Sequence, residues 1–453
     1  MIVPRDRLLW VAAIAGIPLV TILAMGSALA VVGAAGLVLL AAIAASDAIL
    51  SRRQLDGVTV LFPGRINLFK TRPTELEIRI ANEKQNARTL RLGLNLPPTL
   101  ATDREDSEVQ LPAGAAHSIL KWPCTPRERG SFRIPSVHFE TASRLGLWSI
   151  RHAQKTDVEL RVYPDLLSER KHVAMIFLRR HSFGIHAQRQ IGKGRDFEKL
   201  REYLHGDPLE DVHWKATAKR GRPVTKVFQI ERTQEVYVVL DASRLTARPS
   251  RSAADLAREE NQNTTVLDRF LTAGLLLALA TEQQGDHFGL VTFSDKVHQV
   301  IRAKSGHSHF ALCRDALYNL QPRLVTPDFD ELCSTIRVRL RKRALIIFLT
   351  ALDDPLIADS FVRASELVSR QHLLLVNMIE PGGTKPVFDR HSPAPQRSRD
   401  LYRSLAGHMA WQRLREIQKT LELRGVKFTV LPNEMLAREL VGQYLEIKQR
   451  QVL

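Results

Sequence analysis

Cysteine is scarce in this 453-residue chain: Cys124, Cys313 and Cys333 are the whole complement, odd in number and far apart. That set argues against a disulfide scaffold and for a reducing compartment. No CxxC or Cys/His cluster has the ligand spacing of zinc. The short signatures of several enzyme classes are missing too. There is no GxxxxGK[ST]; Gly192-Lys193-Gly194 lacks the upstream glycine, so the chain is not expected to be a P-loop ATPase itself. There is no GxSxG and no HExxH, and no nucleophile–base pair stands out. Acidic residues are outnumbered, with 48 Asp/Glu against 65 Lys/Arg, a formal charge of +17 and a pI near 10.1. Such a balance suits nucleic acid, anionic lipid or an acidic protein partner without choosing among them. Nucleic acid is disfavoured, because neither aromatic interleaving nor a binding motif accompanies the charge.

What the N-terminus does have is two uncharged apolar runs, Leu8 to Met25 and Ala28 to Ala45, split by Gly26-Ser27. Each is at the short end of what spans a hydrocarbon core. A signal peptide is the rival reading of the first run. The second run directly behind it favours a transmembrane hairpin over residues 1–50, helices at about 8–25 and 28–45. Arg5 and Arg7 flank one end and Arg52 and Arg53 the other, with nothing basic in the turn. The positive-inside rule then predicts a two-pass protein of the inner membrane with both ends, and all later domains, in the cytosol.

Residues 55–165 alternate. Leu76, Ile78 and Ile80, then Leu90, Leu92, Leu94 and Leu96, then Val158, Leu160 and Val162 recur at every second position, and prolines fall mostly between the runs. Period two with one apolar face predicts half-buried antiparallel strands, hence a small β-sandwich. Leu145 to Trp148 reads as a packed corner before the last strand. Residues 166–232 form a basic connector, with Arg179, Arg180, His181, His186, Arg189, Lys193 and Arg195 crowded in its first half. Over 233–449 apolar strands (236–240, 288–293, 345–349, 373–379, 426–431) alternate with helical stretches. That pattern predicts an α/β domain with a doubly wound, Rossmann-like parallel sheet. The first strand stops at Asp241-Ala-Ser243, where open α/β sheets place their sites; the plainer reading is that Asp241 caps a helix.

These residues carry a resemblance. Gly194-Arg195-Asp196-Phe197, Arg201-Glu202-Tyr203 with Gly206-Asp207, Trp214 to Lys219, the strand into Leu240-Asp241-Ala242-Ser243, Gly289 to Phe293 and Gly425 to Tyr444 together resemble the bacterial family called domain of unknown function 58. Its members join a transmembrane hairpin and a β-sandwich to a domain similar to von Willebrand factor type A. The resemblance implies a non-enzymatic accessory protein in the lipid bilayer. It implies a MoxR-type AAA+ ATPase and unknown client proteins as partners, and a role in assembly or maturation of other proteins. It marks Arg195, Asp196, Tyr203, Gly206, Asp207, Trp214, Lys215 and Lys219 as signature, partner-binding positions.

Type A domains often hold Mg²⁺ through Asp-x-Ser-x-Ser, a distant hydroxyl and a later Asp, a hard-oxygen set. Asp241 and Ser243 fit the first two places. Leu245 stands at the third and cannot coordinate. Ser305 or Ser308 would supply the distant hydroxyl, and Asp353 the later carboxylate, displaced from the end of its strand, which reads Thr350-Ala351. The motif is degenerate, so no cofactor is expected, Mg²⁺ being the one candidate. Two rival functions are a hydrolase using Asp241 with a histidine such as His307, and a charge-driven nucleic-acid binder.

Overall fold

Both apolar runs fold as helices. α1 spans Asp6–Ala24 and α2 spans Ala30–Ser51, and both are long and apolar enough to cross a membrane. α1 carries a π-helical turn at Ala12–Gly16, just ahead of Pro18. A proline ring clashes with the carbonyl four residues back and offers no N–H, and the widened turn absorbs that clash. α2 continues past Ala45, so Asp47 and Ser51 lie on the helix and are buried. The helices approach closely at Gly33, where an added Cβ would lie 2.9 Å from the Leu19 carbonyl oxygen. Elsewhere their apolar side chains, among them Leu9, Val20, Val31 and Leu39, are exposed.

The computed structural model describes residues 1–24, 30–85, 87–167, 191–204, 207–229, 233–250, 264–387 and 398–450, with 191–199 and 227–229 by backbone alone. Gly26-Ser27, Gly206 and the basic run Arg179 to Arg189 lie outside the described residues, as do the side chains of Lys193, Arg195 and Asp196. The chain divides into two units, Met1–Asp165 and Leu166–Leu453.

The first unit holds ten strands: β1 (Ile2–Pro4), β2 (Val58–Leu61), β3 (Arg65–Phe69), β4 (Thr74–Asn82), β5 (Arg88–Leu94), β6 (Leu100–Ala101), β7 (Asp106–Leu111), β8 (His117–Pro126), β9 (Gly130–Ala142) and β10 (Trp148–Tyr163). One sheet has the order β1-β10-β9-β5-β7, with β3 also on β10; the other has the order β2-β4-β8-β6. The period-two residues do what alternation requires. Ile78 and Ile80 from one sheet and Leu90, Leu92, Leu160 and Val162 from the other fill one core around Trp122 and Phe139, while Glu77, Arg79 and Arg91 between them are exposed. Two pairings differ from the expectation of antiparallel strands after residue 55. β3 runs parallel to β10, and the first residues of the chain, as β1, pair with β10 at Trp148 to Ile150.

In the second unit β11 (Ile191–Glu202) and β12 (Val224–Gln229) form an antiparallel pair, with the short helix α3 (Trp214–Arg220) between them in sequence. A six-stranded sheet follows, built from β13 (Glu235–Asp241), β14 (His287–Phe293), β15 (Val297–Lys304), β16 (Leu345–Leu349), β17 (Leu373–Ile379) and β18 (Lys427–Leu431) in the order β15-β14-β13-β16-β17-β18. Every pairing is parallel except β14 with β15. Val236, Val238 and Leu240 enter one core with helices α4 (Val266–Gln283), α5 (His307–Leu317) and α9 (Leu436–Arg450). Tyr237 and Val239 enter a second with α6 (Phe329–Arg339), α7 (Pro355–Ser369) and α8 (Ser398–Leu423). Cover on both faces is why these strands are apolar without alternation.

Candidate functional site

β13 lies between β14 and β16, so its last residue, Asp241, ends among the loops that follow its neighbours. The carboxylate is fully buried. Thr350 Oγ1, just past β16, donates to Oδ2 at 2.6 Å. The Ser243 backbone N–H donates to Oδ1 at 2.8 Å and closes a local turn. Burial raises the Asp241 pKa above the ordinary carboxylate value, and these donors only partly counter it. Asp241 therefore orders the loop at the head of the sheet rather than starting a helix.

The other residues assigned to a metal are not gathered there. Leu245, at the third hydroxyl place, is buried in the core with Phe293, Phe329 and Phe348. Ser305 and Ser308 lie at the other end of the sheet. β15 turns back antiparallel and brings Lys304 opposite Phe288, while Asp241 is in register with Phe293, so Lys304 lies roughly 17 Å from the head at about 3.3 Å per residue along a strand. That hairpin was not legible as a strand in the sequence, and it overturns the assignment of the distant hydroxyl. Asp353 pairs with Arg248, and Asp354 receives Arg244 Nη2 at 2.9 Å while capping α7 through the Leu356 N–H. The type A oxygen set is thus dispersed, its carboxylates are taken by arginines and backbone donors, and the residues present do not fit a Mg²⁺ ion. Among the described residues no group of three or more His, Cys, Asp or Glu is placed to hold a metal. Thr350, Arg244 and Arg248 were missed by the sequence reading. Their only signal was two arginines in the loop after one strand and two aspartates in the loop after its neighbour. His307 is exposed and pairs with Glu282 at 3.3 Å, at the end of the sheet remote from Asp241, so the hydrolase pair does not assemble.

The signature residues form a separate structure. Arg195 and Asp196 are on β11, and the Tyr203 N–H bonds the Pro223 carbonyl oxygen at 3.0 Å. Asp207 accepts the Leu204 N–H at 3.1 Å and Arg201 Nη2 at 2.6 Å. The backbone donor first, with Arg201 behind it, holds its pKa below the ordinary range. α3 has a cap at each end: His213 Nδ1 accepts the Ala216 N–H at 3.0 Å, and Gly221 closes it at φ 70°, a left-handed position that costs other residues dearly. The Thr217 hydroxyl accepts the Val224 N–H and ties the helix to β12. On this scaffold Val212 and Val224 are buried, while three larger apolar residues face outward: Trp214 is 69% exposed, Leu209 69% and Leu204 61%. Lys215, Lys219 and Arg220 are exposed beside Trp214.

None of the curated proteins matches this chain. Three solved structures are similar at low identity. The PilB minor pilin from Streptococcus sanguinis is 9% identical over 90% of this chain and 98% of its own, with a TM-score of 0.34. An aerotolerance-related membrane protein from Bacteroides fragilis is 15% identical over 47% of this chain and 98% of its own, TM-score 0.30. The conserved hypothetical protein BatB from Bacteroides thetaiotaomicron is 12% identical over 48% of this chain and 99% of its own, TM-score 0.29. The family model described as Protein of unknown function DUF58 matches residues 199–385, from β11 through α3 and the head of the sheet to the loop after β17. Over that stretch the chain is similar to the DUF58 family.

Proposed function

We propose that this protein is a membrane-anchored, non-enzymatic adaptor that binds protein partners through the exposed face of α3. In this reading α1 and α2 are a two-pass anchor, the two-sheet unit is a β-sandwich, and the α/β sheet is a von Willebrand factor A-like, doubly wound module facing the cytosol. The observation that carries the reading is Trp214 with Leu204 and Leu209. A tryptophan at the start of a helix fixed at both ends, and two leucines in the segment leading to it, stand in water inside the family-matched stretch. Exposed Trp and Leu on a pre-ordered scaffold are what a binding hot spot needs, since little conformational freedom remains to be lost on association. Lys215, Lys219 and Arg220 favour an acidic partner surface.

The partner proposed is a MoxR-type AAA+ ATPase, with client proteins brought to it for assembly or maturation; the family resemblance supplies that identity. A catalytic reading finds no support in Asp241, which is fully buried and accepts from the Ser243 N–H and the Thr350 hydroxyl. The test is capture of the full-length protein from detergent-solubilised membranes. The wild type is expected to bring down the ATPase, and Trp214→Ala to lose at least about tenfold, as truncating a central aromatic costs about 2 kcal/mol or more. Capture that is equal in both, or absent in both, overturns the reading.

A further inference from the structure

α2 ends in polar contacts that an apolar helix does not need for itself. Asp47, just past the apolar run that ends at Ala45, is buried. The Ser143 hydroxyl donates to its Oδ2 at 2.6 Å, and the Leu145 N–H to its Oδ1 at 3.1 Å. The Ser51 hydroxyl accepts the Arg144 N–H at 3.1 Å. Trp148 Nε1 donates to the Ala44 carbonyl oxygen at 2.8 Å, and the Trp148 N–H to the Ser143 hydroxyl at 2.9 Å. From the other helix, the Arg5 N–H donates to the Leu147 carbonyl oxygen at 3.0 Å, and the Arg7 side chain lies against Gly146. The corner at 143–148 is thereby fastened to the same end of both apolar helices.

This fastening fixes a depth. Ala44, bound by Trp148, is at the end of the uncharged run, and Ser51 lies seven residues on, about 10 Å at 1.5 Å per residue. A polar layer of roughly 5–8 Å lies on each side of a hydrocarbon core about 30 Å thick. Trp148 then takes the position of an interfacial aromatic. Leu145, at the tip of the corner, is 56% exposed. Arg5, Arg7, Arg52, Arg53 and Arg144 are all exposed around it. None of them has an ion-pair partner among the described residues; Asp6 and Asp56, the acids nearest Arg5, Arg7, Arg52 and Arg53 along the chain, are exposed, and Glu140, nearest to Arg144, pairs with Arg151.

We propose that the corner 143–148 is a lipid seat: Leu145 inserts among the headgroups, and the five arginines bind the phosphates of anionic phospholipid. The inference rests on α1 and α2 crossing the bilayer. The seat makes the two-sheet unit a rigid continuation of the anchor instead of a body on a tether, because strand, corner and helix share one hydrogen-bond network.

The test uses the full-length protein in vesicles of phosphatidylcholine alone and of phosphatidylcholine mixed with phosphatidylglycerol. The native thiols are buried, so a fluorescent label goes to Leu145→Cys, to Val38→Cys inside α2 and to Ile119→Cys on an exposed face of β8. Quenching by lipids spin-labelled at the headgroup is expected at Leu145, and by lipids labelled deep in the acyl chains at Val38; Ile119 should be quenched only by a water-soluble reagent. In lipid-competition binding the wild type should prefer phosphatidylglycerol, and Arg7→Glu, Arg52→Glu and Arg144→Glu should each lower that preference at least about fivefold. If Val38 escapes the lipid quencher, the anchor reading itself fails. If Val38 is quenched while Leu145 behaves as Ile119 does and the arginine variants keep the wild-type preference, the anchor stands and the seat is wrong.

Discussion

Two carboxylates are buried at opposite ends of the same sheet and are satisfied differently. At the head, Asp241 is held by neutral donors, a threonine hydroxyl and a backbone N–H. At the tail, Asp286 precedes β14 and meets a cation: Lys448 Nζ donates to its Oδ2 at 2.8 Å, the Tyr444 hydroxyl donates to the same oxygen, and the Gln234 N–H donates to Oδ1 at 3.1 Å. Lys448 also donates to the Gln284 carbonyl oxygen at 2.7 Å. The tail is a charge-balanced lock joining α9 to the start of β13 and β14. The head carries a buried carboxylate with no cationic partner among the described residues. Burial raises the Asp241 pKa there, and its neutral donors only partly counter the shift.

The lock should be the costlier of the two to open. Asp286→Ala strands the Tyr444 hydroxyl, which is buried, and the Gln234 N–H; Lys448 is about a quarter exposed and recovers part of its loss in water. The expected loss is about 2–4 kcal/mol, read as an earlier denaturant midpoint for the full-length protein in detergent, with α9 losing amide protection first. Equal protection of α9 in both proteins would mean that apolar packing alone holds it.

Asp241→Asn asks whether the head is a charge problem or a shape problem. The amide keeps the shape, and its oxygen accepts the Ser243 N–H while its nitrogen donates to the Thr350 hydroxyl. Because the folded-state pKa lies above the unfolded one, the wild type's contribution is fully present below the unfolded value, about 3.9, and is lost as pH rises through the folded value. Relative to Asp241→Asn, the wild type should therefore lose stability as pH increases from about 4, while Asp241→Ala, which leaves two buried donors unpaired, should cost about 1–3 kcal/mol at every pH. Parallel pH curves for wild type and Asp241→Asn would show that Asp241 does not titrate in the folded chain.

The same contrast explains what was legible in the sequence. Strands buried on both faces announce themselves by composition, so Val236 to Leu240 and Leu345 to Leu349 were readable, and period two exposed the two-sheet core through Ile78, Leu92 and Leu160. β15 was not readable: Val297-His-Gln-Val-Ile-Arg-Ala-Lys304 is an edge strand with mixed burial, and without its turn nothing sent Ser305 and Ser308 to the tail. Motif spacing found Asp241 and Ser243 because neighbours in sequence stay neighbours in the fold. The Thr350 donor to Asp241 and the pairs of Arg244 with Asp354 and Arg248 with Asp353 depend on strand order and register, which a pattern along one chain does not contain. Asp47 escaped notice for a similar reason: a lone carboxylate after an apolar run looks like a helix flank until the corner 96 residues later closes on it.

The smallest effect belongs to the arginines at the head. Arg244 and Arg248 are each close to half exposed in their pairs with Asp354 and Asp353. Solvent screens such pairs, and each is worth about 0–1 kcal/mol. Arg244→Ala with Arg248→Ala should thus barely move the denaturant midpoint, yet it releases two carboxylates beside the loop that Asp241 orders. If the arginines occupy the place of a cation, Mg²⁺ should remain without effect on the wild type and gain a weak, saturable effect on the melting temperature of the double variant. If Leu245 and the dispersal of the hydroxyls already forbid coordination, neither protein should respond. The sheet geometry favours the second outcome, because removing two guanidinium groups supplies no oxygen at position 245 and does not return Ser305 or Ser308 from the tail.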